Sequence, residues 1–413
     1  MTETPEQRES AEPSESTQSE RLLGGHTGRL LVSLSLAWAT LQLGRFLLSP
    51  LLPAIVDDLG MTTATAGLAL GAFQLLYAVT QFPSGRVSDE FGRPTAVVAG
   101  LVAITGSFLL FAQVTTAAGF LAAALVLGLG KGLFAVPSRA QLSDAFVERR
   151  GQALGIYAAG TDLGGLAASA VGAVVTGGTV VWGVALAADW RAPFLPLAGL
   201  LTAVTVGYVG WNTAPYRLGR PALETRATLA RLLTTRRQRE SLVAFALFFF
   251  VVGAWVGFLP AYLATAKGFS EAVAAGVFAV VFVVGFAVKP FAGRLADRFS
   301  RRLVAAGGLS VSVAAICGVV TFETLPAVVA AVVVYAAGYK SVFPVIDALL
   351  LDAAPDGSVG GDLGAARAVL LGVGALGPVY LGWVVDAASY RVGFVGLGAC
   401  LVVATVLLVR GVE

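Results

Sequence analysis

Two nine-residue stretches, Gly85–Arg93 (GRVSDEFGR) and Gly293–Arg301 (GRLADRFSR), carry the same pattern of glycine, aspartate and arginine. The second begins 293 − 85 = 208 positions after the first, which is about half of this 413-residue chain. A displacement of 340 − 131 = 209 positions likewise carries Lys131 onto Lys340. A repeat with a period of half the chain predicts two related structural halves.

The composition around these stretches is that of a membrane protein. Hydrophobic residues make up 57% of the chain and charged residues 13%, and the mean hydropathy is +0.81. A bilayer core is crossed by about 20 apolar residues in a helix. Runs of this kind predict an all-α polytopic membrane protein with twelve transmembrane helices, at about 29–55, 62–84, 95–114, 118–141, 152–173, 192–210, 241–264, 270–292, 303–321, 326–349, 362–385 and 390–408.

The spans divide into two groups of six. Residues 1–28 are polar and predict a disordered tail without the basic and apolar pattern of a signal peptide. Residues 29–210 and 241–413 predict two six-helix bundles, joined by a linker at 211–240. The gap at 174–189 is apolar but rich in glycine, and we place there the outer end of the fifth helix and a loop.

The distribution of arginine and lysine predicts the orientation. Basic residues are frequent in the loops around 86–93, 149–150, 217–239 and 294–302, whereas the opposite loops contain only Arg191, Lys267 and Arg391. The rule that positive charge stays inside then places both termini in the cytoplasm, in a multi-pass plasma-membrane protein. The single histidine, His26, excludes a histidine metal site, and no base-reading nucleic-acid module is visible.

The two stretches resemble the loop signature G-x-x-x-D-x-x-G-R of the major facilitator superfamily, with Ser300 replacing the second glycine in the second copy. The resemblance implies two bundles rocking about a central cavity, a small-molecule substrate, a monomer and no cofactor. It also implies that part of each copy forms a cytoplasmic gate, at Gly85, Asp89, Gly92, Arg93, Gly293, Asp297 and Arg301. The alternative is that these charges only anchor the loops to lipid headgroups.

Charged residues within spans are costly and need a partner, a water-filled cavity or a function. The sequence has eight such residues: Arg45, Lys131, Arg139, Asp162, Lys289, Lys340, Asp347 and Arg367. Positions equally far from the middle of a helical hairpin lie at similar heights, which predicts two ion pairs, Lys131 with Asp162 and Asp347 with Arg367. Arg139 and Lys289 lie near helix ends and are interpreted as reaching the membrane surface.

This pairing leaves Arg45 and Lys340 as central cations without a carboxylate, one in each half. Two such cations facing a cavity predict an anionic substrate. The stretch from Arg45 to Pro53 also resembles the first helix of the organic-anion symporter branch of the superfamily, in which the arginine contacts the anion. The aromatic residues Trp38, Trp255 and Tyr335 are candidates for the cavity lining, although helix packing explains them equally well.

The sequence therefore predicts a secondary transporter for a small organic anion, with Asp162 as the group that carries a coupled proton. The pair of Asp162 with Lys131 is alternatively a static ion pair. Two other functions stay open: proton-driven efflux of apolar or cationic compounds with Asp162 as the cation contact, and a membrane sensor that does not transport. No nucleophile–base pair, phosphate loop or metal cluster indicates an enzyme.

Overall fold

The computed structural model describes residues 22–177, 180–181, 184–185, 189–216, 236–352 and 359–410. Side chains are described in these ranges except at 82–91, 180–185, 236–238, 290, 293, 297, 347–348, 350–352 and 359–365. Most of the predicted tail and linker therefore lies outside the described residues. Residues 25–28 of that tail already belong to the first helix, which begins at Gly25 rather than at the predicted residue 29.

Twelve helical segments in the described part of the chain are long and apolar enough to cross a membrane, as predicted. The helices are α1 (Gly25–Leu47), α2 (Leu52–Asp58), α3 (Thr63–Phe91), α4 (Arg93–Phe111), α5 (Ala117–Ala145), α6 (Arg150–Thr176), α7 (Phe194–Trp211), α8 (Arg236–Ala261), α9 (Glu271–Arg298), α10 (Arg301–Thr321), α11 (Leu325–Asp352), α12 (Val359–Gly374), α13 (Leu376–Ala387) and α14 (Tyr390–Arg410). A π-helical turn, Tyr262–Ala266, extends α8.

Prolines break two of the predicted spans. The first was expected to run to Ile55, but α1 ends at Leu47 and the short helix α2 follows, because Pro50 cannot donate a backbone hydrogen bond. The eleventh consists of α12 and α13, separated at Ala375, three residues before Pro378. In the glycine-rich gap, α6 ends at Thr176, and a two-residue antiparallel hairpin pairs Val180–Val181 with Val184–Ala185.

The helix starts at one end of the molecule are capped. Thr62, Thr116 and Ser270 precede α3, α5 and α9, and each side-chain oxygen accepts a hydrogen bond from the backbone N–H three residues later. We call this end the capped side. The other end, which carries the 85–93 and 293–301 stretches, is called the linker side.

The two bundles meet closely on the capped side. A Cβ atom built on Gly71 of α3 would lie 2.6 Å from the backbone oxygen of Ala375, and one built on Gly382 of α13 would lie 2.5 Å from that of Thr63. Asp386, near the end of α13, accepts hydrogen bonds from the backbone N–H groups of Thr63 (3.2 Å) and of the next residue (2.8 Å). The halves are therefore joined across the capped side by close approaches at glycine and by the hydrogen bonds of Asp386.

Candidate functional site

Lys131 is a buried cation in the middle of α5. Its ammonium nitrogen lies 4.2 Å from the ring centre of Tyr77, 5.3 Å from that of Phe73 and 5.7 Å from that of Trp38. Only 3% of the residue is exposed. Aromatic faces attract cations but do not neutralise them. Lys131 therefore brings an uncompensated positive charge into the first bundle, as far as the described side chains show.

Two arginines extend this positive region along the bundle. The Arg45 guanidinium lies 5.4 Å from the Phe73 ring, which also contacts Lys131, and the Arg139 guanidinium lies 5.3 Å from the Trp38 ring. With a helical rise of about 1.5 Å per residue, Arg139 is about 9 Å and Lys131 about 21 Å from the linker-side end of α5. Arg45 is about 30 Å from the linker-side start of α1 by the same rise. The three cations thus follow one another from the linker side into the molecule.

Asp162 of α6 joins the two bundles electrostatically. One carboxylate oxygen lies 2.5 Å from the Lys289 nitrogen of α9, and the other lies 3.1 Å from the Lys340 nitrogen of α11. The side chains of Asp162 and Lys340 are each 6% exposed. One aspartate of the first bundle is therefore shared by two lysines of the second.

This arrangement corrects three expectations from the sequence. The predicted pair of Lys131 with Asp162 is not formed, because Asp162 turns to the other bundle instead of to its hairpin neighbour. Lys340, expected to lack a carboxylate, is paired with Asp162. Lys289 does not extend to the membrane surface but completes the same cluster.

The repeat contains a signal for the true position of Lys289, which its place near a helix end did not indicate. The displacement of 208 positions places Lys289 opposite Gln81, whose side-chain nitrogen donates to the hydroxyl of Tyr77 at 2.6 Å. Tyr77 in turn contacts Lys131. Equivalent positions of the two halves thus face the central charges from both sides.

The predicted aromatic residues occupy two places. Trp38 stacks on Tyr157 with ring centres 5.2 Å apart and donates its indole N–H to the hydroxyl of Thr161 at 2.9 Å. It lies among the cations of the first bundle. Trp255 and Tyr335 stack on each other in the second bundle at 3.7 Å, and neither the indole nitrogen nor the phenol oxygen has a hydrogen-bond partner among the described residues. A buried donor without a partner is costly in a fold.

Only part of the predicted gate is described. Gly92 has a φ of +77° and forms the turn between α3 and α4, a conformation that glycine adopts easily. Arg93 forms an ion pair with Asp144 and donates to the Ala140 oxygen at 2.9 Å, so both contacts stay inside the first bundle. Arg301 belongs to a described helix start. The surroundings of Gly85 and Gly293 and the side chains of Asp89 and Asp297 are not described.

The second predicted ion pair, Asp347 with Arg367, is not tested, because the Asp347 side chain lies outside the described residues. Apart from Asp347 and Arg367, the charged residues predicted within the spans are Arg45, Lys131, Arg139, Lys289, Lys340 and Asp162, five positive and one negative. Arg367 is a further described cation with interactions of its own. No group of three or more His, Cys, Asp or Glu residues suited to a metal ion occurs among the described residues. The site is thus able to hold negative charge supplied from outside.

Twelve spans in two related halves, with ion pairs between the halves, are the features of a polytopic membrane transport protein. The profile of the Major Facilitator Superfamily matches residues 34–289 and 277–413, and the chain belongs to this family. The fold is that of its solved members. The bacterial homologue of the human lysosomal transporter Spinster, in an inward-facing unoccupied conformation, superposes with a TM-score of 0.81 at 16% identity, over 94% of this chain and 98% of that one.

Curated relatives include carriers of organic anions. The hexuronate transporter of Bacillus subtilis is 24% identical over 93% of this chain and 94% of that protein. The probable sulfoacetate transporter of Cupriavidus necator is 30% identical over 60% of each chain. Shorter matches are named multidrug resistance proteins. The relatives thus show a transporter of the superfamily and do not fix its substrate.

Proposed function

We propose that this transporter carries a small organic anion by alternating access, with Arg45, Lys131 and Lys340 in contact with the anion. The observation that supports the proposal most is the charge imbalance among the central side chains other than Asp347 and Arg367, five cations to one carboxylate. Each uncompensated charge in a low-dielectric interior is expensive. A bound anion removes that cost, whereas a bound cation increases it.

Proton coupling through Asp162 is the second part of the proposal. Asp162 belongs to the first bundle, and both of its lysine partners belong to the second. A rocking motion that separates the two bundles at Asp162 breaks both ion pairs and leaves the carboxylate without its cations. Uptake of a proton then compensates the lost partners, which links the protonation of Asp162 to the conformation.

The rival function is efflux of cationic compounds. It is supported by the similarity to relatives that are named multidrug resistance proteins. In that function Asp162 binds the cation. The geometry weighs against it, because both carboxylate oxygens already face lysine nitrogens, at 2.5 and 3.1 Å. A cationic substrate has to displace Lys289 or Lys340 and then remain beside them.

The test is thermal stabilisation of the purified chain by sulfoacetate, glucuronate, a quaternary ammonium compound and glucose, because a ligand stabilises the folded state by mass action. We expect the two anions to raise the melting temperature. Loss of one partner of a buried charge contact costs about 2–5 kcal/mol. Arg45→Ala and Lys131→Met should therefore each weaken anion binding at least about thirtyfold.

Arg410→Gln is the matched control, since Arg410 is an exposed arginine at the end of α14. It should bind the anions as the unchanged protein does. Counterflow of the stabilising anion into vesicles then separates a transporter from a sensor. Stabilisation by the cation alone, or anion binding that survives both Arg45→Ala and Lys131→Met, contradicts the proposal.

A further inference from the structure

An open groove runs along the second bundle, and none of the central charges lines it. It lies between α9, α10 and α11 on the linker side and has a volume of about 840 Å³. This is within the range of about 300–1,000 Å³ found for ligand sites. The lining is apolar apart from Arg294, Arg298 and Ser341, and it includes Phe291, Leu295, Phe299, Leu303, Gly307 and Val311.

Glycines give the groove its depth. Gly308 of α10 and Gly338 of α11 touch, since a Cβ on Gly308 would lie 2.8 Å from the Gly338 oxygen, and these two helices form the floor. Gly307, the residue before Gly308, borders free space, since no atom lies within 4 Å of a Cβ built on it. The missing side chain at Gly307 leaves room between the floor and α9. The absence of a side chain at Gly307 therefore contributes to the space in the groove.

The position of the groove relative to the membrane gives it two zones. The ninth span begins at Arg301, so Arg298 lies near the membrane surface, and Val311 lies about 15 Å deeper by the helical rise. Arg294 is one turn below Arg298 on α9. The mouth of the groove is thus at headgroup height, while its inner part lies at the height of the acyl chains.

The positive charge of two arginines at the mouth of the groove favours an anionic ligand. Arg294 and Arg298 are both exposed, and neither forms an ion pair with a described carboxylate. The Arg294 guanidinium lies only 5.9 Å from the ring of Phe291, at the border of the apolar part. Two guanidinium groups one helical turn apart suit a phosphate group, which arginine binds through paired hydrogen bonds.

From the groove and these two arginines we infer that the protein binds one anionic phospholipid here. The phosphate lies between Arg294 and Arg298, and one acyl chain follows α10 past Gly307 to Val311. Basic grooves between spans on the cytoplasmic side of a membrane suit such lipids. None of the central charges lines this groove, and the inference does not depend on what the protein transports.

The test uses the full chain in detergent and native mass spectrometry with dioleoyl phosphatidylglycerol and dioleoyl phosphatidylcholine. We expect one phosphatidylglycerol per chain to bind more tightly than phosphatidylcholine. With each arginine contributing about a factor of five near an anionic headgroup, Arg294→Gln with Arg298→Gln should weaken phosphatidylglycerol about twenty-fivefold. Phosphatidylcholine should be weakened less, because its choline group offsets the charge of its phosphate. Gly307→Leu should weaken it as well, because the new side chain fills the groove without changing any charge.

Two control variants separate the site from general effects. Arg239→Gln with Arg410→Gln removes two exposed arginines outside the groove, and Gly199→Leu adds a side chain at an exposed glycine of α7 that also faces free space. Both controls should bind phosphatidylglycerol normally, and glycerophosphate without acyl chains should not compete. Equal binding of the two lipids, competition by glycerophosphate, or unchanged binding after Gly307→Leu overturns the inference. If the double arginine variant does not fold, the effect of Gly307→Leu on phosphatidylglycerol binding is sufficient to test the inference.

Discussion

Replacement of Asp162 by asparagine should loosen the contact between the bundles and destabilise the protein. The substitution keeps the size of the side chain but leaves Lys340, which is 5% exposed, without its anion. Removal of one partner from a buried ion pair costs about 3–5 kcal/mol. Lys340→Met should cost less, because Asp162 keeps Lys289 at 2.5 Å and the methionine fills the same space. In the double variant the lysine charge at 340 and the carboxylate at 162 are both removed.

The measurement is a double-mutant cycle on Asp162→Asn and Lys340→Met by thermal unfolding in detergent. We expect the two changes to be non-additive, with a coupling energy of about 1–3 kcal/mol and a double variant more stable than the sum of the single effects predicts. The partly exposed pair of Asp58 with Arg191 serves as the control cycle, with a coupling of less than about 1 kcal/mol. Additive effects at Asp162 and Lys340 refute the assignment of this pair.

Three further predictions concern the capped side. The hydrogen bond from Arg191, followed by that from Trp190, lowers the pKa of Asp58, so the folded pKa is below the unfolded one; the stabilisation is present at neutral pH and disappears as the pH falls below about 4. Unfolding followed between pH 3 and 7 should show this loss, and Asp58→Asn should remove it. Gly71→Leu should push the Ala375 backbone away and increase labelling of a cysteine placed on the capped side, and unchanged labelling contradicts the close approach. Asp386→Asn should raise the same labelling by a smaller factor, because an amide caps a helix start more weakly than a carboxylate.

The number of spans was predictable because it depends on the length of apolar runs, a property of consecutive residues. The ends of the first and eleventh spans were harder, since proline breaks a helix at a place set by its neighbours. Pro50 and Pro378 both lie inside apolar runs, so a hydropathy profile does not reveal the helix breaks near them. The backbone rule for proline explains both breaks once the helices are seen.

The central charges were identified individually, but their partners were not. Hairpin symmetry relates residues on consecutive helices, and it pointed from Asp162 to Lys131. The actual partners, Lys289 and Lys340, are 127 and 178 positions away in sequence and belong to the other bundle. Such contacts depend on how the two halves dock, which a single sequence does not specify.

The pairing of Asp162 with two lysines has a consequence for affinity. Any anion that reaches Lys289 and Lys340 finds the place already taken by a carboxylate of the protein itself. Binding there is an exchange of one anion for another, and the free energy gained is the difference between the two. The Asp162 carboxylate therefore competes with an external anion for the two lysines. An anion that binds them more weakly than Asp162 does not displace it.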